Sequence, residues 1–159
     1  LNAALAGHDI GLVSDAGMPA VADPGSWVVR AAHELGIRVV PLVGPVSLLL
    51  ALAASGLNGQ HFAFVGYLPQ DGAARTQRLR ELENFAIKHG QTQMFIETPY
   101  RNQALWDALV NGLQGNTRLA RASGLTMASM QVHCKTVQAW RSAGKAQISS
   151  EPTVFLIGK

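Results

Sequence analysis

The sequence lacks most features of a secreted, membrane-spanning or metal-binding protein. It has one cysteine, Cys134, so it can form no internal disulfide and no thiolate pair for a metal. Its five histidines are too far apart in sequence for a typical metal site. We therefore expect no metal, and the single thiol favours a cytoplasmic protein. The one long apolar stretch, residues 39–57, contains internal prolines, which predict a strand and a buried helix rather than a membrane span.

Charge is also scarce. Only 14% of residues are charged, against about 25% in an average globular protein. The hydrophobic fraction of 48% excludes a disordered tail. The net charge of +3 includes no dense basic stripe of the kind typical of tight nucleic-acid binders. A mildly basic helix over residues 73–89 is more simply a solvated face than an RNA contact.

What the sequence does contain is an alternation of strands and helices. Residues 9–14 and 37–42 have the apolar pattern of buried strands, residues 26–35 have helical spacing, and Pro45 starts a helix that ends at residues 55–56. This alternation predicts an α/β fold with a parallel sheet. It continues with strands at 62–66 and 92–97, helices at 73–89 and 101–113, and then hairpin-like strands at 118–122, 131–137 and 153–157.

Three segments that follow predicted strands are candidates for ligand binding, because ligands of open α/β sheets bind beyond the carboxyl ends of the strands. The first is the loop over residues 15–25, which is longer than a typical βα connection. Gly17 would let a ligand approach the backbone, and Asp15 or Asp23 could accept a hydrogen bond from a ribose hydroxyl or an amine. Alternatively, Asp23 is the N-cap of the helix that follows.

The second segment, residues 43–47, combines the Ser47 hydroxyl with the free amides of a helix start, which could bind a carboxylate or polar group. The alternative is an ordinary first helical turn. In the third segment, residues 97–101, Glu97 could accept a proton or hold a cationic ligand, and Arg101 could hold a phosphate or carboxylate. Alternatively, Glu97 and Arg101 pair with each other.

Five segments, in order, resemble the tetrapyrrole methylase superfamily, most closely its ribosomal RNA small subunit methyltransferase I branch. They are SDAGMP at 14–19, VVPLVGPVS at 39–47, AASGL at 53–57, FAFVGYLP at 62–69 and ETPYR at 97–101. The resemblance extends from about residue 5 to residue 105 and fades afterwards. Several motifs in the same order are a far more specific signal than any single motif.

The resemblance implies two α/β domains of the tetrapyrrole methylase type, with S-adenosylmethionine bound between them, and a homodimer. Residues 1–44 would be the later part of the first domain, and residues 45–159 the second. Carried over by position, the cofactor contacts would be Asp15, Ala16, Gly17, Met18, Val21, Pro45, Ser47, Leu48, Glu97, Leu125 and Thr153.

The sequence also departs from the family pattern. The strand and the glycine-rich G-x-G-x-x-x-D loop that begin the first domain are not found, so we expect that domain to be incomplete and its sheet to lack neighbouring strands. Met18 stands where the branch has threonine, and Tyr100 where it has histidine. Residues 123–127 lack the charged stretch of the RNA enzymes, which indicates a changed substrate or weak activity.

The function that the resemblance implies is transfer of a methyl group from S-adenosylmethionine to a ribose 2′-hydroxyl of ribosomal RNA. Such a hydroxyl needs a nearby base, for which Glu97 is the candidate, and Arg101 is the candidate substrate contact. The alternatives are a methyltransferase for a tetrapyrrole or another small molecule, and a non-catalytic relative that keeps the fold.

Overall fold

The computed structural model describes residues 1–15 and 17–159, which form two compact units, Leu1–Ser47 and Leu48–Lys159. The first unit contains a short helix α1 (Asn2–Leu5) and the amphipathic helix α2 (Ser26–Glu34), which confirms the helix predicted over residues 26–35. Gly25 precedes α2 with a φ of 138°. A Cβ atom there would lie 2.9 Å from Leu12 Cδ2, so the position requires glycine.

The strands predicted at residues 9–14 and 37–42 are not formed, and here the sequence interpretation was wrong. Neither segment is a strand in the structure. Their apolar side chains are exposed, as 87% exposure of Val13 and 78% exposure of Leu42 show. A buried strand needs a paired neighbour for its backbone groups and a covered face for its side chains. Neither is supplied by the described part of the first unit.

Helix α3 (Ser47–Ser55) connects to the second unit, which contains a five-stranded sheet. Apart from α6, which was not predicted, its strands and helices follow the predicted order. They are β1 (Phe62–Tyr67), α4 (Gly72–His89), β2 (Thr92–Ile96), α5 (Asn102–Gly112), β3 (Arg118–Ser123), β4 (Gln131–Thr136), α6 (Val137–Ser142) and β5 (Thr153–Gly158). A 3₁₀ turn, Pro99–Arg101, precedes α5. The second unit therefore confirms the α/β class and all five strands predicted for it.

The strand order is β1-β2-β5-β3-β4. Among the described residues, β1 and β2 are the only parallel pair and the other pairs are antiparallel, so the prediction of a parallel sheet was wrong. The last strand inserts between β2 and β3, so all six of its residues are buried. Strands β3 and β4 form the expected hairpin, whereas β5 does not pair with β4 in the described residues.

The core of the second unit lies between the sheet and helices α4, α5 and α6. Phe95 of β2 and Phe155 of β5 stack with ring centroids 6.3 Å apart. Trp106 of α5 and Trp140 of α6 meet edge to face at 4.9 Å. These buried rings fix both helices on one face of the sheet. No helix in residues 1–15 and 17–159 has the length and apolarity needed to cross a membrane.

Candidate functional site

The sheet of the second unit gathers three of the predicted site residues at one edge. Ile96 at the end of β2 pairs with Val154 of β5, and Thr153 at the start of β5 pairs with Ser123 at the end of β3. Glu97 and Thr153 are therefore the next positions in register, and Leu125 follows the end of β3. The carboxyl end of a parallel strand is where α/β proteins present ligand contacts.

Glu97 is 5% exposed and shares one oxygen among several donors. Its Oε1 accepts hydrogen bonds from the Thr98 amide at 2.7 Å, the Thr98 hydroxyl at 3.3 Å and Arg101 Nη2 at 2.7 Å. The pairing of Glu97 with Arg101, one of the two alternatives at this motif, is therefore confirmed. No hydrogen bond reaches the second oxygen, Oε2, from the described residues.

The surroundings of Glu97 keep its carboxyl group charged. Burial acts to raise the pKa of Glu97, but the hydrogen bonds from Arg101 and Thr98 outweigh burial and hold this pKa below its ordinary value. A carboxylate with a lowered pKa is present in its basic form at neutral pH. It is also a weaker proton acceptor than one whose pKa is near 7.

Arg101 is held beside the exposed ring of Tyr100. Its guanidinium carbon lies 5.1 Å from the Tyr100 ring centroid, and its side chain is 27% exposed. Its Nε is buried without a hydrogen-bond partner in the described residues. One end of the guanidinium is thus fixed by Glu97 while another donor stays unused, which is compatible with a ligand contact.

Thr153 is buried in a polar cluster below this edge. Its hydroxyl donates to the Glu151 carbonyl at 2.9 Å and lies 2.8 Å from Ser123 Oγ. The Asn102 amide nitrogen donates to the Glu151 carbonyl at 2.9 Å and contacts Thr153 Oγ1 at 3.3 Å. The hydrogen bonds of the Thr153 and Ser123 side chains therefore fix the start of β5.

Leu125 lies in a tight turn after β3. Gly124 has a φ of +60°, and a Cβ atom on it would lie 2.8 Å from Glu151 Oε2. Ser129 donates to Glu151 Oε1, so the turn over residues 124–130 is tied to the segment that precedes β5. Leu125 itself is half-buried. The turn is rigid enough to present the Leu125 backbone at a fixed place on the edge.

In the first unit, two of the predicted segments line one groove of about 240 Å³. One wall comes from residues 12–14 and 17–19, and the other from residues 42–45. The groove thus brings together Gly17, Met18 and Pro45. A Cβ atom on Gly17 would meet no atom within 4 Å, so the space beside it is open.

The loop beyond this groove has strained backbone. Ala20 and Ala22 adopt positive φ values of 65° and 55°, which are rare for alanine. Such strain persists where surrounding structure enforces it, often near a ligand site. The alternative interpretation of Asp23 as a helix N-cap is wrong, because Gly25 occupies that position and no side chain caps α2.

The remaining predicted contacts have diverse environments. Asp15 and Val21 are exposed, and the Val21 amide donates to the Met18 carbonyl at 3.2 Å. Ser47 is the first residue of α3, and Leu48 is buried. Ala16 lies outside the described residues. No three His, Cys, Asp or Glu side chains in the described ranges are placed to hold a metal ion.

Sequence reasoning missed Asn102, whose side chain is fully buried at the start of α5. Its amide nitrogen ties α5 to the segment before β5, and its Oδ1 has no partner among the described residues. The available signal was a polar residue at the first turn of a helix directly after the ETPYR motif. That signal could not reveal a partner about fifty residues away in sequence.

The chain is similar in sequence to ribosomal RNA methyltransferases. It is 44% identical over 95 residues to ribosomal RNA small subunit methyltransferase I of Pseudomonas aeruginosa, covering 60% of this chain and 32% of that protein. For the Mesorhizobium japonicum protein of the same name, identity is 39% over 133 residues, covering 84% and 44% respectively. The chain thus spans less than half the length of these relatives.

Solved structures share the fold at lower identity. The methyltransferase CobJ superposes with a TM-score of 0.61 at 19% identity, covering 99% of this chain and 67% of CobJ. Uroporphyrin-III C-methyltransferase from Thermus thermophilus, solved with S-adenosyl homocysteine, gives a TM-score of 0.51 at 19% identity, covering 90% of this chain and 63% of that chain. At this identity, the likeness demonstrates the fold alone.

The family match extends further than the motifs had indicated. The family model described as tetrapyrrole (corrin/porphyrin) methylases matches residues 1–139. The expectation that the resemblance fades after residue 105 was therefore wrong. The later strands β3 and β4 are included in the match, although they carry none of the quoted motifs. This chain belongs to the tetrapyrrole (corrin/porphyrin) methylase family.

Proposed function

We propose that this chain belongs to an S-adenosylmethionine-dependent methyltransferase that modifies ribosomal RNA of the small subunit, at a ribose 2′-hydroxyl. The observation that carries the proposal is the 38–44% identity to proteins named ribosomal RNA small subunit methyltransferase I. Family membership by itself would equally allow a tetrapyrrole substrate.

The residues present fit the cofactor. The groove of the first unit offers open space beside Gly17, and the sheet edge of the second unit offers a buried carboxylate with a free oxygen. When bound, S-adenosylmethionine supplies an electrophilic methyl group. We propose that residues 1–44 and 45–159 belong to two successive domains and that the cofactor is held by Asp15, Ala16, Gly17, Met18, Val21, Pro45, Ser47, Leu48, Glu97, Leu125 and Thr153.

Within this proposal the protein's main task is to orient the acceptor and to exclude water. Glu97 is ionised at neutral pH and is the proposed proton acceptor for the ribose hydroxyl. Arg101, anchored by Glu97, is the proposed substrate contact. The resemblance further supports a homodimer, and the ribosomal substrate and the single cysteine support a cytoplasmic location.

The second candidate is a methyltransferase for a tetrapyrrole or other small molecule. It is supported by the family description and by the tetrapyrrole enzyme among the structural neighbours. The modest net charge of +3 also fits a small-molecule substrate better than a polyanionic one. A non-catalytic relative is the third possibility, and it predicts cofactor binding without methyl transfer or no binding at all.

Methyl transfer from radiolabelled S-adenosylmethionine distinguishes these candidates. Small ribosomal subunits, extracted small-subunit RNA and a porphyrinogen are offered in parallel to the protein. We expect label in the RNA, in a product resistant to alkaline cleavage because a methylated 2′-hydroxyl cannot attack its phosphate. Label in the porphyrinogen alone would support the second candidate, and no label in any acceptor would contradict both.

A further inference from the structure

A cluster of cationic side chains surrounds the two tryptophans that pack α5 against α6. The Arg121 guanidinium carbon lies 5.4 Å from the Trp106 ring centroid and 5.6 Å from that of Trp140. Lys135 Nζ lies 4.9 Å from the Trp140 centroid, and the His133 ring lies 6.4 Å from it. The cluster lies at the edge strand β4, where His133 and Lys135 are exposed.

Arg121 has no anionic partner in this cluster. Among the described residues, its guanidinium group forms no ion pair and no hydrogen bond, and its Nε is buried without an acceptor. Burial lowers the pKa of Arg121, which reflects the cost of removing its charge from water. Stacking on two tryptophans recovers part of that cost and holds the guanidinium plane in place. Its donors are left without the planar oxygen acceptors that a guanidinium matches best.

The charged side chains in the last part of the chain are mostly cationic. From β3 to the last residue, the only acidic side chain is Glu151, which is bound by Ser129 and Ser149. The same stretch contains six cations, Arg118, Arg121, Lys135, Arg141, Lys145 and Lys159. Asp107 of α5 is the nearest acidic residue along the neighbouring helix, and its carboxylate accepts from Gln103.

Next to the cluster, an open groove of about 490 Å³ runs between α5 and α6. Trp106 and Trp140 form part of its wall, and Lys145 lies at its rim. Arg141 also lines it, but its guanidinium already donates hydrogen bonds to the backbone carbonyls of Val110 and Leu113. Asp107 also lines the groove, so the groove carries charge of both signs, and the positive cluster is limited to Arg121 and Lys135 beside it.

We propose that Arg121 and Lys135, positioned by Trp140, contact phosphate groups of the RNA substrate. A phosphodiester chain supplies both the negative charge and the bidentate oxygens that the cluster lacks. The inference rests on the proposed ribosomal RNA substrate and adds a contact surface separate from the predicted cofactor residues. It also explains how a protein with a small net charge can hold RNA, because the charge is concentrated in the last quarter of the chain.

The test measures RNA affinity by fluorescence anisotropy, with a labelled small-subunit RNA fragment, across a series of salt concentrations. Lys135→Gln removes one exposed charge, and Lys88→Gln removes an equally exposed lysine from the last turn of α4 as the matched control. Arg121→Lys keeps the charge but loses the planar fork, so it tests the buried member with little risk to folding.

We expect Lys135→Gln and Arg121→Lys each to weaken RNA binding roughly three- to tenfold near 0.1 M salt, and Lys88→Gln to leave it unchanged. Lys135→Gln should also reduce the slope of log affinity against log salt by roughly 0.7 to 0.9. S-adenosylhomocysteine affinity, measured on the same samples, should be the same in all variants.

Wild-type affinity and salt slope in both cluster variants would overturn this proposal while leaving the proposed methyltransferase function intact. Equal weakening by Lys88→Gln would also overturn it, because the effect would then reflect net charge. Absence of RNA binding by the wild-type protein, with S-adenosylhomocysteine still bound, would contradict both this inference and the ribosomal RNA substrate.

Discussion

Glu97 has one observed structural role and one proposed chemical role, and both depend on the same carboxylate. Its Oε1 holds Arg101 and the start of the 3₁₀ turn, while its Oε2 has no partner among the described residues. The first role stabilises the charged form, and the second is what a proton acceptor needs. A single residue therefore links the stability of the sheet edge to the proposed chemistry, and substitution at this position should affect both.

Replacing Glu97 with glutamine should lower methyl transfer by about a hundredfold, the lower end of what a general base contributes, because its lowered pKa already limits the driving force. S-adenosylhomocysteine binding should weaken, because Glu97 is also a proposed cofactor contact, but it should not be abolished. The same variant should also lose part of the pH dependence of stability. The folded-state pKa is lowered, so the contribution of Glu97 is complete above the unfolded pKa of about 4.3 and disappears as the pH falls through the folded value.

Melting temperatures of wild type and Glu97→Gln, measured from neutral pH down to about pH 2, test the second part. The two curves should differ most near neutral pH and converge in acid. Glu81→Gln is the control, because Glu81 pairs with Arg78 on the exposed face of α4 and should have little influence at any pH. Parallel curves for wild type and Glu97→Gln, or turnover equal to wild type, would contradict the two roles.

The helices and strands show what local sequence can and cannot specify. Helix α4 has its own signals, an N-cap at Asp71 and a left-handed C-cap at Gly90, and it begins and ends within a residue of its predicted range. Strands β1 and β2 were predicted from their apolar runs, and the Glu97–Arg101 pair was one of the two alternatives left open at its motif. For α4 and for the Glu97–Arg101 pair, the determining interactions lie close in sequence.

The failures depend on interactions between distant residues. Residues 9–14 and 37–42 have the composition of strands, but a strand forms only where a neighbour completes its ladder. The insertion of β5 between β2 and β3 depends on pairing across more than thirty residues. Helix α6 was missed because its six residues follow β4 directly, with Thr136 as the N-cap. The contacts of Asn102 were not predicted because its partners lie about fifty residues away in sequence.

Replacing Asp71 with alanine tests how far local capping stabilises α4. Its carboxylate accepts a hydrogen bond from the Ala74 amide at 2.8 Å, so the substitution should cost about 1 kcal/mol of unfolding free energy. Asp71→Asn keeps an acceptor oxygen and should cost only a few tenths. Urea unfolding at neutral pH measures both. Equal stability of all three proteins would indicate that tertiary packing alone determines where α4 begins.

The two units differ sharply in how much apolar surface they bury. In the second unit, aromatic and aliphatic side chains from every layer form a continuous core. In the described part of the first unit, Ala32 is the one buried hydrophobic residue, and Trp27 of α2 is 70% exposed. The second unit therefore supplies most of the chain's stability, while the first supplies the groove.

Calorimetric titration of S-adenosylhomocysteine into the protein, and into its Gly17→Leu variant, tests the proposed cofactor site. A Cβ atom on Gly17 would meet no atom within 4 Å, so the side chain of leucine should extend into the groove while the fold is kept. Circular dichroism of the variant checks this, and Gly59→Ala, in an equally open position, is the control. We predict saturable heat near one site per chain for wild type and Gly59→Ala, and none for Gly17→Leu. No saturable heat with the wild-type protein, or undiminished binding by a folded Gly17→Leu, would contradict a cofactor site at the groove.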